Sequence, residues 1–200
     1  MALTIAIGFI DKGSLHLLLC DHHSAWADKV MPVLSDTCSW LPYVVAVGLL
    51  IWRWQAGVLM SGSLILSTLI AQAIKHLVQA PRPLTWFAEN MPDVTLPLTE
   101  GVKMNYYLSF PSGHTTTFFC LYFALCVIYT YYYAHISTRA RNAIVQVVLF
   151  ALAAVSSYSR LYLSQHFATD VLAGMVIGVV SVAIVAALFK VFTQKKQQNT

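Results

Sequence analysis

The chain has 200 residues, of which 58% are hydrophobic and only 10% are charged, whereas an ordinary soluble domain has roughly 25% charged residues. So little polar surface excludes a soluble globular protein and indicates an integral membrane protein. The formal net charge of +4 is modest, and no basic tract is interleaved with aromatic residues, so nucleic-acid binding is not predicted.

The N-terminal segment, residues 1–35, is expected to lie along the membrane surface. Its apolar start, Met1–Ile10, is too short to span a bilayer and lacks the basic residues and cleavage site of a signal peptide. A longer span would carry Asp11 and Lys12 inside the bilayer, which is costly. We therefore expect interfacial helices over Met1–Ile10 and Leu15–Cys20, and a sixth transmembrane helix remains the alternative.

Five later segments are apolar enough to cross a bilayer, which takes about 20 helical residues. The first is the weakest, because Ser39 and Pro42 dilute its outer end. The predicted fold class is an all-α polytopic membrane helical bundle with five or six transmembrane helices, in a single domain over residues 1–200. The predicted spans are Asp36–Trp54, Ala56–Val78, Ser112–Tyr133, Asn142–Tyr162 and Thr169–Phe192.

The charges of the connections predict the orientation. With five spans, one side carries six basic residues and no acidic one, while the other carries all eight acids and six basic residues. Three of those six belong to the polar clusters described next, and without them the positive-inside rule assigns the acid-free side to the cytoplasm. Its basic residues are Arg53, Arg139, Arg141, Lys190, Lys195 and Lys196. The long connection Leu84–Phe110 and all three clusters then lie at the outer face.

The four cysteines predict no zinc or redox site, because none forms a C-x-x-C pair. Cys120 and Cys126 lie in an apolar run and are expected to be small buried side chains. A disulfide between Cys20 and Cys38 is left open.

The first polar cluster ends the second span. Pro81 and Pro83 stop the helix, so Lys75 lies on its last turns and Arg82 lies just beyond it. Both cations can point at one anion. For Lys75 alone, snorkelling towards the headgroups explains the residue equally well. His76 fits neither role and is interpreted as structural or interfacial.

The second cluster, Pro111–His114, opens the third span. Ser112 is a favourable N-cap, and the free backbone N–H groups at a helix start attract an anion. Gly113 allows close approach to the backbone, and His114 in the first turn would face the same anion. Taken alone, a capped helix start with an interfacial histidine is the more ordinary explanation.

The third cluster joins the last two spans and contains Arg160, His166 and Asp170. His166 and Asp170 are four residues apart and share one face of a helical turn. A carboxylate bonded to one imidazole nitrogen fixes the tautomer and makes the other nitrogen a better nucleophile. A purely structural His–Asp pair is the alternative.

Taken together, the clusters predict a phosphate site. Ionisable groups inside a membrane are expensive and usually functional. The cations Lys75, Arg82 and Arg160 exceed the single carboxylate Asp170 by two charges, which suits a dianionic phosphate monoester. Arginine supplies paired donors for phosphate oxygens and lysine supplies a point charge.

The motifs Lys75…Arg82-Pro83, Pro111-Ser112-Gly113-His114 and Ser159-Arg160…His166…Asp170 resemble those of the type 2 phosphatidic acid phosphatase superfamily. That superfamily also includes bacterial acid phosphatases and vanadium haloperoxidases. The motifs lie within residues 75–170, roughly half of the chain. The resemblance implies a helical bundle with phosphoryl transfer that needs no metal and no cofactor.

The resemblance also implies a role for each motif residue. His166 would attack phosphorus to form a phosphohistidine, and Asp170 would orient His166. His114 would protonate the leaving oxygen and then activate water. The phosphate oxygens would be held by Lys75, Arg82, Ser112, Gly113 and Arg160.

The expected activity is hydrolysis of a lipid phosphate, at the outer (periplasmic) face of a bacterial inner membrane. Undecaprenyl pyrophosphate ranks first, followed by lipid A phosphate, phosphatidylglycerol phosphate and phosphatidic acid, and the long loop is expected to select the headgroup. Lipid-to-lipid phosphotransfer is the first alternative. A non-catalytic phospholipid-binding or transport protein is disfavoured, because binding requires neither His114 nor the His166–Asp170 pair. Gly174 and Gly178 form a G-x-x-x-G motif, for which packing within the bundle is favoured over a homodimer.

Overall fold

The computed structural model describes residues 10–198, with side chains described as far as Phe189. All regular secondary structure in this range is helical. The expected interfacial helix over Met1–Ile10 falls on residues 1–9, outside the described part. The helices are α1 (Lys12–Cys20), α2 (Ala27–Asp36), α3 (Leu41–Trp52), α4 (Trp54–Val78), α5 (Pro83–Asn90), α6 (Gly113–Tyr133), α7 (Arg139–Tyr162) and α8 (Ala168–Gln198), with short 3-10 turns at Thr37–Ser39 and Ala134–Ile136.

Four stretches of helix are long and apolar enough to cross a membrane: Trp54–Asn90, Gly113–Ile136, Arg139–Tyr162 and Ala168–Phe189. The first predicted span differs from expectation. Trp40 and Pro42 begin a new helix there, and α3 has only 12 residues, about 18 Å of helix against a core of about 30 Å. It reaches membrane length only together with Ala27–Ser39, from which it is bent by 45°.

Helix α6 lies in the centre of the bundle and contacts α4, α7 and α8. Gly174 and Gly178 bring α8 against it: an added Cβ would lie 2.6 Å from the carbonyl oxygens of Ser112 and Thr116, respectively. The G-x-x-x-G motif is therefore used for packing within the bundle, as favoured from the sequence. This close approach brings the start of α8 beside the start of α6.

The long connection is not a continuous loop, because its first residues form α5. Arg82 is the N-cap, and Pro83 occupies the first turn, where proline costs no hydrogen bond. Past Asn90 the chain returns over the same end of the bundle. It is attached there by backbone hydrogen bonds from Arg82 N to Tyr106 O and from Ser109 N to Ala80 O.

Helix α1 packs against α7. Leu15, His16 and Cys20 are buried, and the Tyr158 hydroxyl of α7 donates to Leu19 O. The helix covers the connection between α7 and α8. Cys20 and Cys38 are both buried free thiols, so the disulfide left open by the sequence does not form.

Candidate active site

The structure brings the residues of the three polar clusters together at one end of the bundle. Ser112 N donates to Asp170 O at 3.0 Å, which joins the second cluster to the third. An added Cβ on Gly113 would lie 3.6 Å from Lys75 Cε, which joins the first cluster to the second. His114 and Arg160 line the same cavity. His76, which fitted no motif, is exposed on α4.

His166 and Asp170 form a buried pair, exposed by only 1% and 3%. His166 Nδ1 lies 3.5 Å from Asp170 Oδ2, which is longer than a well-formed N–H···O hydrogen bond. Burial, opposed in part by Asp170, lowers the pKa of His166 to about 3. The imidazole is therefore neutral near pH 7, as a nitrogen nucleophile must be.

Ser109 is a site residue that the sequence reasoning missed. Its hydroxyl is completely buried and donates to Asp170 Oδ2 at 2.5 Å. The same oxygen accepts the backbone N–H of Phe167 at 2.9 Å and faces His166. The available signal was a lone polar residue three positions before Ser112 in an aromatic stretch, but nothing in that pattern named its partner.

The three cations of the clusters are held by neutral oxygen acceptors. Lys75 Nζ donates to Leu108 O at 2.7 Å, and Arg160 Nη1 donates to the Ser35 hydroxyl. Arg82 Nη1 donates to Gln165 Oε1 at 2.9 Å and to Gln165 O at 3.2 Å. Ser35 and Gln165 were also missed, since both partners lie far from the cations in sequence.

None of these cations forms an ion pair within residues 10–198, where the two recorded pairs are His23–Asp28 and His166–Asp170. Lys75 and Arg160 are each only 7% exposed. Buried charges are normally paired with an opposite charge. A cluster of buried cations without carboxylate partners is therefore suited to an anionic ligand.

The start of α6 adds backbone donors to this cluster. The Ser112 side chain caps the helix by accepting the Thr115 N–H at 3.4 Å and the Thr115 hydroxyl at 3.0 Å. The N–H groups of Gly113 and His114 belong to the first turn, where no carbonyl of the same helix can accept them. The helix start is thus an anion site next to Lys75.

A cavity of about 370 Å³ leads to this cluster from outside the bundle. His114, Arg160 and Gln165 line it together with residues of α2 and of the chain segment 101–105. Two polar side chains of that segment, Lys103 and Asn105, are exposed. The segment is attached to the site because Gln165 Nε2 donates to Lys103 O at 3.1 Å.

Comparison with solved structures gives two relatives with the same fold. The first is the crystal structure of LpxE from Aquifex aeolicus, with a TM-score of 0.66 and 23% identity over 87% of this chain and 93% of that chain. The second is a transmembrane PAP2-type phosphatidylglycerolphosphate phosphatase from Bacillus subtilis. Its TM-score is 0.71, with 21% identity over 94% of this chain and 92% of that one.

A search of curated protein sequences finds no match. The family model of the PAP2 superfamily matches residues 56–194. This range contains all three motifs and every helix from the third residue of α4 to the membrane-spanning part of α8. Because the match covers well over half of the chain, the protein belongs to the PAP2 superfamily and is an integral membrane phosphatase.

Proposed function

We propose that the protein hydrolyses the phosphate of a membrane lipid through a phosphohistidine formed on His166, without a metal. The observation that carries this proposal is the set of buried cations without carboxylate partners around the His166–Asp170 pair. A dianionic phosphate would supply the missing negative charge. It would also lie beside a neutral imidazole, one nitrogen of which faces a carboxylate.

In the first half-reaction His166 Nε2 attacks phosphorus and the bond from phosphorus to the lipid oxygen breaks. The Nδ1–H of His166 faces Asp170, which stabilises the positive charge that develops on the ring. His114 donates a proton to the departing oxygen. In the second half-reaction water attacks phosphorus, His114 accepts a proton from that water, and inorganic phosphate leaves His166.

The phosphate oxygens would be held by Lys75, Arg82 and Arg160 and by the N–H groups at the start of α6. Ser112 caps this helix start, and Gly113 leaves space between it and Lys75. These donors are fixed by protein contacts before substrate arrives. Fixed donors stabilise the charge of the transition state without reorganisation.

The lipid chain would remain in the bilayer, since the site lies at the ends of membrane-length helices. Undecaprenyl pyrophosphate ranks first as substrate, because Lys103 on the outer side of the cavity provides a further cation for a second phosphate. Phosphatidylglycerol phosphate is supported by the stated activity of the Bacillus subtilis relative. Lipid A phosphate and phosphatidic acid complete the set to be tested.

The proposed location is a bacterial cytoplasmic membrane with the site at the periplasmic or outer face. The support is the charge distribution: Arg53, Arg139 and Arg141 lie at the opposite end of the bundle from Asp170. Cysteine-accessibility labelling at residues 103 and 139 in intact cells tests this orientation. Outer-face labelling at residue 139 would contradict it.

The activity is tested by phosphate release from the four lipid phosphates in detergent micelles, with EDTA present. We expect release to survive chelation and His166→Ala to abolish it. Vanadate should inhibit as a mimic of five-coordinate phosphorus. Full release by His166→Ala would contradict the mechanism.

Two alternatives have different outcomes in the same assay. A lipid phosphotransferase would form a phosphorylated lipid acceptor in place of inorganic phosphate. A non-catalytic phospholipid-binding or transport protein would release no phosphate from any of the four lipids. The presence of His114 together with the His166–Asp170 pair favours catalysis over binding or transport, and product analysis distinguishes hydrolysis from transfer.

A further inference from the structure

Helix α1 packs against the short connection between α7 and α8 that contains His166. The family model begins at residue 56, so this helix lies outside the matched region. Leu15 nevertheless packs against Leu161 before the connection and against Ala168 and Val171 after it. The arrangement makes an N-terminal helix part of the surroundings of the candidate nucleophile.

His16 is the buried histidine of α1, and it faces this connection. It is only 1% exposed, and its ring centroid lies 5.8 Å from that of Phe87 and 5.1 Å from that of Phe167. Its Nε2 lies 3.3 Å from the Ser164 hydroxyl oxygen. Burial lowers the pKa of His16 to about 4, so the ring is neutral near pH 7.

A phenylalanine would fill this apolar place at lower cost than a histidine. Nδ1 of His16 is buried and has no hydrogen-bond partner, and a buried polar group without a partner loses its solvation without compensation. The Ser164 hydroxyl oxygen lies 3.3 Å from His16 Nε2 and 3.5 Å from Pro97 O, so His16 is the nearer of these two partners. The bond to Ser164 is thus the interaction that distinguishes histidine from phenylalanine here.

Ser164 has a left-handed backbone with φ of 48°, a conformation that is unfavourable for a non-glycine residue. This turn directs the chain back over the end of α7. As a result, the N–H groups of Gln165 and His166 both donate to Arg160 O, at 3.0 and 3.2 Å. The backbone conformation at Ser164 therefore determines the position of the His166 backbone.

Phe167, the residue that follows His166, also contacts α1. Lys12 Nζ lies 3.8 Å from the centroid of the Phe167 ring, and His16 packs against the same ring. The Phe167 N–H in turn donates to Asp170 Oδ2. Contacts from α1 therefore act on the chain both before and after His166.

We propose that His16 is a positioning residue for His166. Its bond to the Ser164 hydroxyl and its contact with Phe167 hold the turn, so that the His166 imidazole stays aimed at phosphorus and close to Asp170. This inference rests on the proposed role of His166 as nucleophile. The phosphate-binding cations lie on or next to α4, α5 and α7, and His16 touches none of them. Gln165 of the same turn accepts from Arg82, so loss of the His16–Ser164 bond is expected to lower kcat by a larger factor than it raises KM.

The test compares His16→Phe with His16→Gln in the full-length protein in detergent micelles. Phenylalanine keeps the ring contacts and loses the donor, whereas glutamine keeps a donor at similar reach and loses the ring. We expect His16→Phe to lower kcat by about ten- to a hundredfold, the size of effect that a misplaced reacting group produces. His16→Gln should recover most of kcat. Equal losses in the two variants would overturn the role of the bond.

Two further variants separate positioning from loss of folding. Asp11→Ala removes the N-cap of the same helix, where the carboxylate accepts the Ser14 N–H, so it should lower the unfolding temperature and keep kcat while folded. Ser164→Gly keeps the left-handed backbone and removes the hydroxyl, and it should lower kcat. Adding His16→Phe to Ser164→Gly should cause no further loss of kcat, because the two changes remove the same hydrogen bond. Fully additive losses of kcat in the double variant would contradict the proposal that His16 acts through Ser164.

His166→Ala, measured alongside, separates the two proposals. Activity in His166→Ala would contradict the nucleophile assignment itself. An inactive His166→Ala combined with wild-type kcat in His16→Phe would overturn the inference about His16 and leave the proposed function standing.

Discussion

The Ser109 hydroxyl donates to Asp170 Oδ2, the carboxylate oxygen that faces His166. Ser109 lies on the returning segment of the long connection, and Asp170 lies in the first turn of α8. The bond therefore fixes the rotamer of Asp170 from outside its own helix. A hydrogen bond to a charged group contributes about 1.5–3 kcal/mol.

Ser109→Ala is expected to lower kcat by roughly tenfold or more, the equivalent of at least about 1.4 kcal/mol, because Asp170 loses one of its two short donors. The matched control is Ser181→Ala, since Ser181 is equally buried and donates to Ile177 O within α8. Phosphate release and thermal unfolding are measured for both. Equal kcat in the two variants, at matched stability, would contradict a specific role for Ser109.

Gly174→Ala tests whether close helix contact sets the site. Its new Cβ would meet Ser112 O at 2.6 Å, and backbone at that distance must move. We expect a loss of about 1–3 kcal/mol in stability, as for other overpacked sites, and a larger loss of kcat because the start of α6 shifts away from Asp170.

Gly48→Ala is the control for that change. Gly48 lies inside α3 and has no atom within 4 Å of an added Cβ, so helix propensity should raise stability by roughly 0.5–1 kcal/mol. Thermal unfolding in detergent distinguishes the two. A Gly174→Ala protein as stable and active as Gly48→Ala would show that the contact is not needed.

The parts of this site that could be predicted from sequence are those set by local geometry. Proline and serine mark the end of α4 and the start of α6. The four-residue spacing correctly predicts that His166 and Asp170 lie close together, at 3.5 Å, but His166 precedes α8 and does not lie on a helical turn. Membrane length and hydropathy predict α6, α7 and α8 to within a few residues at their starts.

The remaining features depend on which segments meet in three dimensions. Ser109 and Asp170 are 61 residues apart, Arg82 and Gln165 are 83 apart, and no local pattern pairs them. Helix α1 was expected at the membrane surface because the apolar stretch is too short to span a bilayer and a longer span would carry Asp11 and Lys12, whereas its burial follows from contact with α7 and Phe167. Helix α5 was missed because a proline pair indicates both the end of one helix and the start of another.

Lys103→Met tests the substrate ranking. Lys103 is exposed and lines the cavity, and it belongs to none of the three motifs that would hold the reacting phosphate, so we expect it to contact a second phosphate. We expect kcat/KM to fall about tenfold for undecaprenyl pyrophosphate, as for the loss of one charge-assisted hydrogen bond, and to stay unchanged for phosphatidic acid. Lys29→Met, an exposed lysine on α2, is the control. Equal losses on both substrates would remove the support for a pyrophosphate.

Stability is expected to fall steeply below about pH 6.5 because two buried histidines resist protonation. The pKa of His16 is lowered to about 4 and that of His166 to about 3, both from 6.5, and burial is the main cause of each shift. Above pH 6.5 both rings are neutral in the folded and unfolded chains, so neither opposes folding. Below it the unfolded chain binds protons that the folded chain does not, and stability falls until the folded pKa is reached.

The loss should amount to about 1.4 kcal/mol per pH unit for each histidine, or on the order of 2 kcal/mol each between about pH 6.5 and pH 5. His16→Phe removes one of these groups and should lower the slope of the unfolding free energy against pH in this window by the contribution of one histidine. His76→Phe, an exposed position on α4, should keep the wild-type slope. The measurement is reversible unfolding in mixed detergent micelles at several pH values. A wild-type slope in His16→Phe would mean that the buried ring is protonated in the folded protein, which its apolar surroundings of Phe87 and Phe167 oppose.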